Sequence, residues 1–204
     1  MIYPKHTPEI IKPLAKDLVF ELPNDRNEIY LTFDDGPHPE ITPWVMDQLD
    51  RFDAKGTFFL VGQNVERYPE IIDELKRRGH AMGNHSYSHP SGWKTGNDQY
   101  FADIEKCAAL VECGLYRPPY GQITLSQTKA LKSRFRIIHW SDLSADFDEK
   151  LQPEDCLKYA THNVRAGSII VFHDSEKAWP RLEKMLPKAL EFYQEKGFKM
   201  ANMA

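Results

Sequence analysis

The chain has 204 residues and a formal net charge of −4 at pH 7. Its 41% of hydrophobic residues suffice for a buried core, which excludes a wholly disordered chain. The acidic balance excludes a broad basic surface, so we expect neither a nucleic acid nor a membrane as a partner. No apolar run approaches the roughly 18 residues that a transmembrane helix needs.

Residues 1–26 are predicted to be an N-terminal extension that packs on a single domain formed by residues 27–204. Within this extension we expect a helix near Pro8–Asp17 and then a short extended segment, Val19–Leu22. No apolar segment of a secretory signal follows the first six residues, and the nearest candidate, Ile10–Phe20, is interrupted by charged residues and Pro13. We therefore expect a cytoplasmic protein.

From residue 27 onward, short apolar runs rich in β-branched and aromatic residues alternate with helical patterns. The predicted strands are Glu28–Phe33, Gly56–Val61, His80–Asn84, Leu115–Arg117, Phe135–Trp140, Ser168–Phe172 and Phe198–Met203. The predicted helices are one with Thr42 as N-cap and Pro43 in its first turn, one from Pro69 to Gly79, and Asp98–Val111, Ser126–Lys132, Pro153–Val164 and Pro180–Lys196. This alternation predicts a parallel sheet, either open and doubly wound or closed into a barrel.

Two common kinds of site receive no support from the sequence. The three cysteines, Cys107, Cys113 and Cys156, have neither a disulfide framework nor a zinc-ligand spacing, so we expect them to be small core residues. The glycine-rich fingerprints of dinucleotide and phosphate binding are absent, which weakens a nucleotide-binding interpretation.

Polar side chains follow five of the predicted strands at the points where the strands end. They are Asp34 and Asp35, His85 and His89, Arg117, Asp146, and His173. In parallel α/β folds the carboxyl ends of the strands carry the ligand site, so these side chains are predicted to share one rim.

His85 and His89 are four residues apart, a spacing that places two imidazoles on one face of a helical turn. With one carboxylate from the Asp34–Asp35 pair they would form a three-ligand site that leaves positions open for water and substrate. An alternative is that the two aspartates only form a turn with Gly36 and Pro37, which accounts for one acid but not for two in tandem.

Three segments resemble those of the NodB-homology polysaccharide deacetylases, carbohydrate esterase family 4. Thr32–Pro37 matches the first motif of that family, His85–His89 matches its metal motif, and Arg117–Gly121 matches its third. The resemblance covers residues 27–203 and implies a distorted seven-stranded (β/α) barrel, similar to a TIM barrel.

The resemblance also implies roles for individual residues. Asp35, His85 and His89 would bind one divalent metal ion, zinc first and cobalt or nickel as alternatives. The five residues implied in catalysis are Asp34 as general base, Arg117 as its partner, Tyr120 as a backbone donor to the oxyanion, His173 as general acid, and Asp146 as the group that orients His173.

Two positions depart from the family pattern. Phe147 stands where the fourth motif usually has Trp, and Val171 stands where the fifth usually has Leu. Both changes affect the expected choice of substrate more than catalysis. Trp93, in a glycine-flanked loop after the metal motif, either lines a sugar subsite or anchors its loop.

These inferences predict a monomeric, metal-dependent hydrolase that removes N-acetyl groups from an acetylated amino-sugar polymer or oligomer. Three alternatives stay open: an O-deacetylase acting on acetylated xylan, a non-haem iron oxygenase, and a non-catalytic carbohydrate-binding relative. The sequence argues against the oxygenase, because such enzymes usually place a His and an acid two apart on one strand, and no such pair carries the ligands here.

Overall fold

The computed structural model of the chain describes residues 5–10 and 15–203. Within these residues, nine strands form one sheet. They are β1 (Leu18–Val19), β2 (Glu28–Asp34), β3 (Thr57–Leu60), β4 (Ala81–Asn84), β5 (Leu115–Tyr116), β6 (Arg136–Ile138), β7 (Asp142–Leu143), β8 (Ile169–His173) and β9 (Lys199–Ala201). The helices are α1 (Ile41–Asp50), α2 (Gly62–Arg67), α3 (Pro69–Arg77), α4 (Asn97–Ala108), α5 (Leu125–Leu131), α6 (Pro153–Thr161) and α7 (Trp179–Glu195), with a 3₁₀ turn at Pro119–Gly121.

The strands lie in the order β1–β6–β5–β4–β3–β2–β8–β7, and β9 also pairs with β2. All of these pairings are parallel, and the sheet curls into a half-barrel with helices around it. This confirms the predicted fold class, and each of the seven predicted strands overlaps an observed one. The two-residue strands β1 and β7 add to that set.

Strand β2 lies at the centre of the sheet and is buried along almost its whole length. The ring of Phe33 stacks on Phe58 of β3 at 4.9 Å and on Phe172 of β8 at 5.5 Å. Helix α7 covers this side of the sheet with an apolar face that includes Leu182 and Leu186, both fully buried. A strand covered on both faces needs apolar residues at nearly every position, which explains the unbroken apolar run in the sequence.

The start of α1 differs from the prediction. The helix begins at Ile41, with Glu40 at its N-cap, so Thr42 is not the capping residue. The hydroxyl of Thr42 accepts a hydrogen bond from the His38 N–H at 2.8 Å and donates one to Asp174 Oδ2 at 2.5 Å. A buried tertiary partner, not visible in the local sequence, competes for the side chain that would otherwise cap the helix.

The predicted leading helix lies partly outside the described residues, and 8–10 and 15–17 at its ends are not helical. The Thr7 N–H bonds to the Ser141 carbonyl, and the Leu143 N–H bonds to the Lys5 carbonyl, so this segment lies beside β7. Among the cysteines, Cys107 and Cys156 are buried and Cys113 is partly buried, all three as free thiols. None of the described helices has the length and apolar character that crossing a membrane would require.

Candidate active site

A pocket of about 510 Å³ opens at the carboxyl ends of β2, β4 and β8. Six of the eight predicted site residues line it: Asp34, Asp35, His85, His89, Tyr120 and His173. The other two, Arg117 and Asp146, are fully buried and hydrogen-bond to pocket residues. The structure therefore brings together all of the residues that the sequence pattern selected.

Asp35, His85 and His89 form a cluster that could hold a metal ion. His89 Nε2 lies 3.2 Å from Asp35 Oδ1 and 3.2 Å from His85 Nε2, and His85 Nε2 lies 3.8 Å from Asp35 Oδ1. Tetrahedral ligands about 2.1 Å from a zinc ion stand about 3.4 Å from one another. The spacing and the donor types therefore fit a divalent metal.

The protonation of this cluster also suits a cation. The carbonyl oxygen of Arg117 accepts a hydrogen bond from His85 Nδ1 at 2.8 Å, which leaves the Nε2 lone pair directed into the cluster. Burial lowers the pKa of His85 to about 4, so this imidazole is neutral at pH 7. Burial alone would raise the pKa of Asp35, but the hydrogen bond with His89 and the charge of His173 outweigh it and hold that pKa well below its usual range.

The two histidines do not lie on a helical turn, as their spacing had suggested. Residues 85–89 form a loop in which Ser86 and His89 have left-handed backbone conformations, with φ of 65° and 59°. The Asp103 carboxylate on α4 holds the loop, accepting hydrogen bonds from the Tyr87 N–H at 2.7 Å, the Ser88 N–H at 3.0 Å and the Ser88 hydroxyl at 2.6 Å. Asp103 could not be identified from the sequence, because nothing in its spacing links it to the loop.

Asp34 is buried at the end of β2 and is paired with Arg117. The Arg117 Nη1 donates to Asp34 Oδ1 at 2.7 Å and to Thr32 Oγ1 at 2.7 Å. Its Nη2 donates to the His139 carbonyl at 3.0 Å, and the guanidinium lies 4.1 Å from the centre of the Phe59 ring. Every contact fixes the guanidinium, so the orientation of the Asp34 carboxylate is fixed as well.

His173 lies next to Asp34 on the adjacent strand, because the two residues are paired in the register of β2 and β8. The Asp146 carboxylate accepts from His173 Nδ1 at 2.7 Å and from the His173 backbone N–H at 2.9 Å. Burial would lower the pKa of His173, but the charge and hydrogen bond of Asp146 outweigh it and raise that pKa to about 9. The imidazolium therefore dominates at neutral pH, with Nε2–H free to act as a proton donor.

Asp174 is a buried carboxyl group to which sequence analysis gave no role. It accepts a hydrogen bond from the Gly36 N–H at 3.1 Å, besides the bond from Thr42. Burial raises the pKa of Asp174 to about 8, although the bond from Thr42 opposes the change. A Cβ atom at position 36 would lie 2.2 Å from Asp174 Oδ2, so only glycine fits there. Asp174 therefore supports the turn that carries Asp35.

The geometry of this site agrees with the comparisons to known proteins. The family model described as polysaccharide deacetylase matches residues 21–134. The chain belongs to this family. It is 34% identical over 181 residues to a peptidoglycan-N-acetylglucosamine deacetylase of Bacillus cereus, covering 83% of this chain and 66% of that protein. It is also 34% identical over 158 residues to a chitooligosaccharide deacetylase of Azorhizobium caulinodans, covering 74% of this chain and 75% of the relative.

A solved structure extends the similarity to the whole described fold. The crystal structure of the Bc1960 peptidoglycan N-acetylglucosamine deacetylase superimposes with a TM-score of 0.81 at 31% identity, covering 97% of this chain and 95% of that one. The overlap includes β8 and α7, which lie beyond the region that the family model matches.

The positions that depart from the pattern of polysaccharide deacetylases both line the pocket. Phe147 packs edge-on against the His173 ring, with 5.0 Å between the ring centres, and Val171 faces the pocket beside Leu143, its partner in the sheet. Tyr120 has a left-handed conformation with φ of 59°, and its exposed ring contacts His89 at 4.6 Å.

Other pocket residues were not selected from the sequence. Asn64 on α2 donates to the Asp35 carbonyl at 2.8 Å, and Trp140, Ser175 and Lys177 form part of the wall.

Trp93 has features of both roles considered from the sequence, a loop anchor and a sugar subsite. Its indole N–H bonds to the Ile123 carbonyl at 3.2 Å, as in a loop anchor, while 66% of the residue stays exposed, as a subsite would need.

Proposed function

We propose that the protein is a metal-dependent hydrolase that removes N-acetyl groups from an acetylated amino sugar within a polysaccharide or oligosaccharide. The observation that carries this proposal is the joint position of a fixed carboxylate, Asp34, and a protonated imidazole, His173, beside the Asp35–His85–His89 cluster. General base, general acid and electrophile are thus available in one pocket.

Asp35, His85 and His89 are the residues that would hold the metal, with zinc as the first candidate and cobalt or nickel as alternatives. A divalent ion held there would lower the pKa of bound water to about 7 and would polarise the acetyl carbonyl. Two hydrogen bonds support the cluster. Asn64 donates to the Asp35 carbonyl, and His85 Nδ1 donates to the Arg117 carbonyl.

Asp34 would take a proton from the water that attacks the acetyl carbon. A base needs a lone pair directed at the water, and Asp34 is held by the charge-assisted hydrogen bond that its Oδ1 accepts from the buried Arg117 guanidinium at 2.7 Å. The same contact fixes the direction of the carboxylate, so little reorganisation is needed as the proton moves.

The Tyr120 N–H is proposed to donate a hydrogen bond to the oxygen that becomes negative during attack. The left-handed conformation at this exposed position is uncommon for a residue with a side chain, and it occurs at the edge of the pocket. A backbone donor in such a position is typically worth about 3–4 kcal/mol.

His173 would give its proton to the amide nitrogen as the carbon–nitrogen bond breaks, leaving acetate and a free amine. An amine anion is too poor a leaving group to depart without a proton, whereas an alkoxide from an ester needs less help. The charged state of His173 at neutral pH therefore supports N-deacetylation over the alternative, O-deacetylation of acetylated xylan.

Acetate release from four substrates tests the proposal: chitooligosaccharides, peptidoglycan glycan strands, acetylated xylan and monomeric N-acetylglucosamine. The chain would be stripped with a chelator and reloaded with zinc, cobalt or nickel. We expect release from one or both amino-sugar polymers, loss with the chelator, and recovery with metal. Release only from xylan would favour the O-deacetylase, and no release from any substrate in any metal form would favour the non-catalytic carbohydrate-binding alternative.

A further inference from the structure

One wall of the pocket is built from side chains that the proposed chemistry does not use. Phe147 lies in the loop that follows β7, and Ser175 and Lys177 lie between β8 and α7. The Lys177 ammonium nitrogen lies 6.0 Å from the centre of the Phe147 ring. This distance is at the edge of a cation–π contact, so the ring places the charge at the pocket without neutralising it.

Lys177 differs from the other charged groups that line the pocket. Asp34 is paired with Arg117, Asp35 with the two histidines of the cluster, and His173 with Asp146. Among the described residues, no carboxylate lies within 4.0 Å of Lys177 Nζ, and the adjacent Glu176 faces His38 instead. The pocket therefore presents one cation that has no acidic partner within the described chain.

Ser175 adds a second unsatisfied group to the same wall. Its hydroxyl oxygen is buried and has no hydrogen-bond partner in the described part of the chain. A buried hydroxyl without a partner is costly, and such groups in native proteins usually find a partner in water or a ligand. Ser175 and Lys177 are two residues apart in one loop and line one pocket, so a single acceptor group could engage both.

We propose that Ser175 and Lys177, beside the Phe147 ring, form a subsite for a carboxylate on the sugar that neighbours the acetylated one. This inference rests on the proposed function and names its substrate class: an anionic glycan strand such as that of peptidoglycan, and not neutral chitin. In peptidoglycan the carboxylate has two possible sources, the lactyl ether of the neighbouring sugar and the peptide attached to it. A lysine and a hydroxyl would recognise either.

Matched ligands can separate the charge from the shape of the strand. The probes are peptidoglycan strands freed of peptide, which expose lactyl carboxylates; the same strands converted to neutral methylamides; and strands that keep their peptides. Kd is measured by titration calorimetry, and kcat/KM by acetate release, each at low and high salt. The variants are Lys177→Gln, Lys177→Glu and Ser175→Ala, with Lys184→Gln on the exposed face of α7 as the control.

We expect the unmodified protein to prefer free-carboxylate strands to methylamide strands by about 2- to 5-fold, the usual worth of an exposed ion pair, and to lose this preference at high salt. Lys177→Gln should abolish the preference, Lys177→Glu should reverse it, Ser175→Ala should reduce it, and Lys184→Gln should keep it. If only the peptide-bearing strands respond to Lys177, the peptide supplies the carboxylate.

Equal binding of the lactyl-carboxylate, methylamide and peptide-bearing strands by the unmodified protein would overturn the inference. So would a preference that survives both Lys177 substitutions. Failure of the proposed function is a separate result, because a protein that releases no acetate can still be titrated with the same strands.

Discussion

The pair formed by His173 and Asp146 makes a quantitative prediction about pH. Burial lowers the pKa of His173, but the charge and hydrogen bond of Asp146, with smaller contributions from Asp35 and Asp34, raise it from 6.5 to about 9. A shift of this size corresponds to roughly 3 kcal/mol of preference for the charged imidazole. Asp146→Asn removes that charge and keeps the size of the side chain, so the pKa of His173 should return to 6.5 or below.

The expected effect on activity follows from the fraction of His173 that carries a proton. At pH 8 this fraction is about 90% for a pKa of 9 and about 3% for a pKa of 6.5, so Asp146→Asn should lose about 30-fold in kcat on an amide substrate. At pH 6 both forms are mostly protonated, and the loss should be small. The alkaline limb of the pH profile should therefore move from near pH 9 to near pH 6.5.

The assay is acetate release from a chitooligosaccharide or a glycan strand between pH 5 and 10, in the unmodified protein and in Asp146→Asn. An activated aryl acetate serves as the control, because its leaving group needs no proton and its alkaline limb should not move. The acid role of His173 is refuted if the alkaline limb on the amide stays in place, or if it moves equally on both substrates.

The same pair affects stability in a defined direction. Because the pKa of His173 is raised in the folded state, the stabilisation is fully present below about pH 6.5 and is lost as pH rises through about 9. The free energy of unfolding should fall across this interval in the unmodified protein, and the fall should be smaller in Asp146→Asn. Urea titrations at pH 6.5 and 9 measure both slopes.

Three further predictions concern the metal cluster and the pocket wall. Asp34→Asn should keep the metal and lose about 10²–10⁴-fold in turnover. Asp35→Asn should lose metal affinity first and regain part of its rate in excess zinc or cobalt. The same rescue for both variants would contradict the assignment of base and ligand. Asp103→Ala should weaken zinc affinity about 10-fold, measured by competition with a chelator. The control Asp98→Ala, on the exposed first turn of α4, should leave the affinity unchanged. Unchanged affinity in Asp103→Ala would mean that the loop keeps its shape without the Asp103 carboxylate. Phe147→Trp should change KM or the preference among substrates at unchanged metal content, and identical kinetics on every accepted substrate would reduce Phe147 to a packing residue.

The elements that could be predicted from the sequence are those whose signal is local. The apolar runs of β2 and β8 are continuous because both faces of a central parallel strand are covered. Their short length and their β-branched and aromatic residues favour a buried strand over a buried helix. The common location of the polar residues after these strands could also be predicted, because parallel strands present their carboxyl ends at one edge of the sheet. Since both signals sit in short stretches of sequence, they were available before the fold was known.

The elements that could not be predicted depend on contacts between distant residues. Helix α2 has six residues and begins with Gly62, whose N–H bonds to the Ser86 carbonyl, so tertiary contacts and not propensity form it. Strand β7 has two residues and is defined by β8 and by the Lys5 carbonyl. The roles of Asp103 and Asp174 likewise arise from partners 15 or more positions away, which no periodicity reveals.

The burial of two ion pairs at one end of the sheet is itself an argument for function. Asp34–Arg117 and Asp146–His173 are both removed from water, and the cost of desolvating such pairs commonly equals or exceeds their mutual attraction. At Phe33, one residue before Asp34, the same strand packs apolar rings against both neighbouring strands. Apolar residues could therefore have occupied the ends of these strands, as they occupy the middle of β2, at no loss of stability. Charges that stability does not require, fixed by hydrogen bonds and aimed at one pocket, are what a site for proton transfer needs.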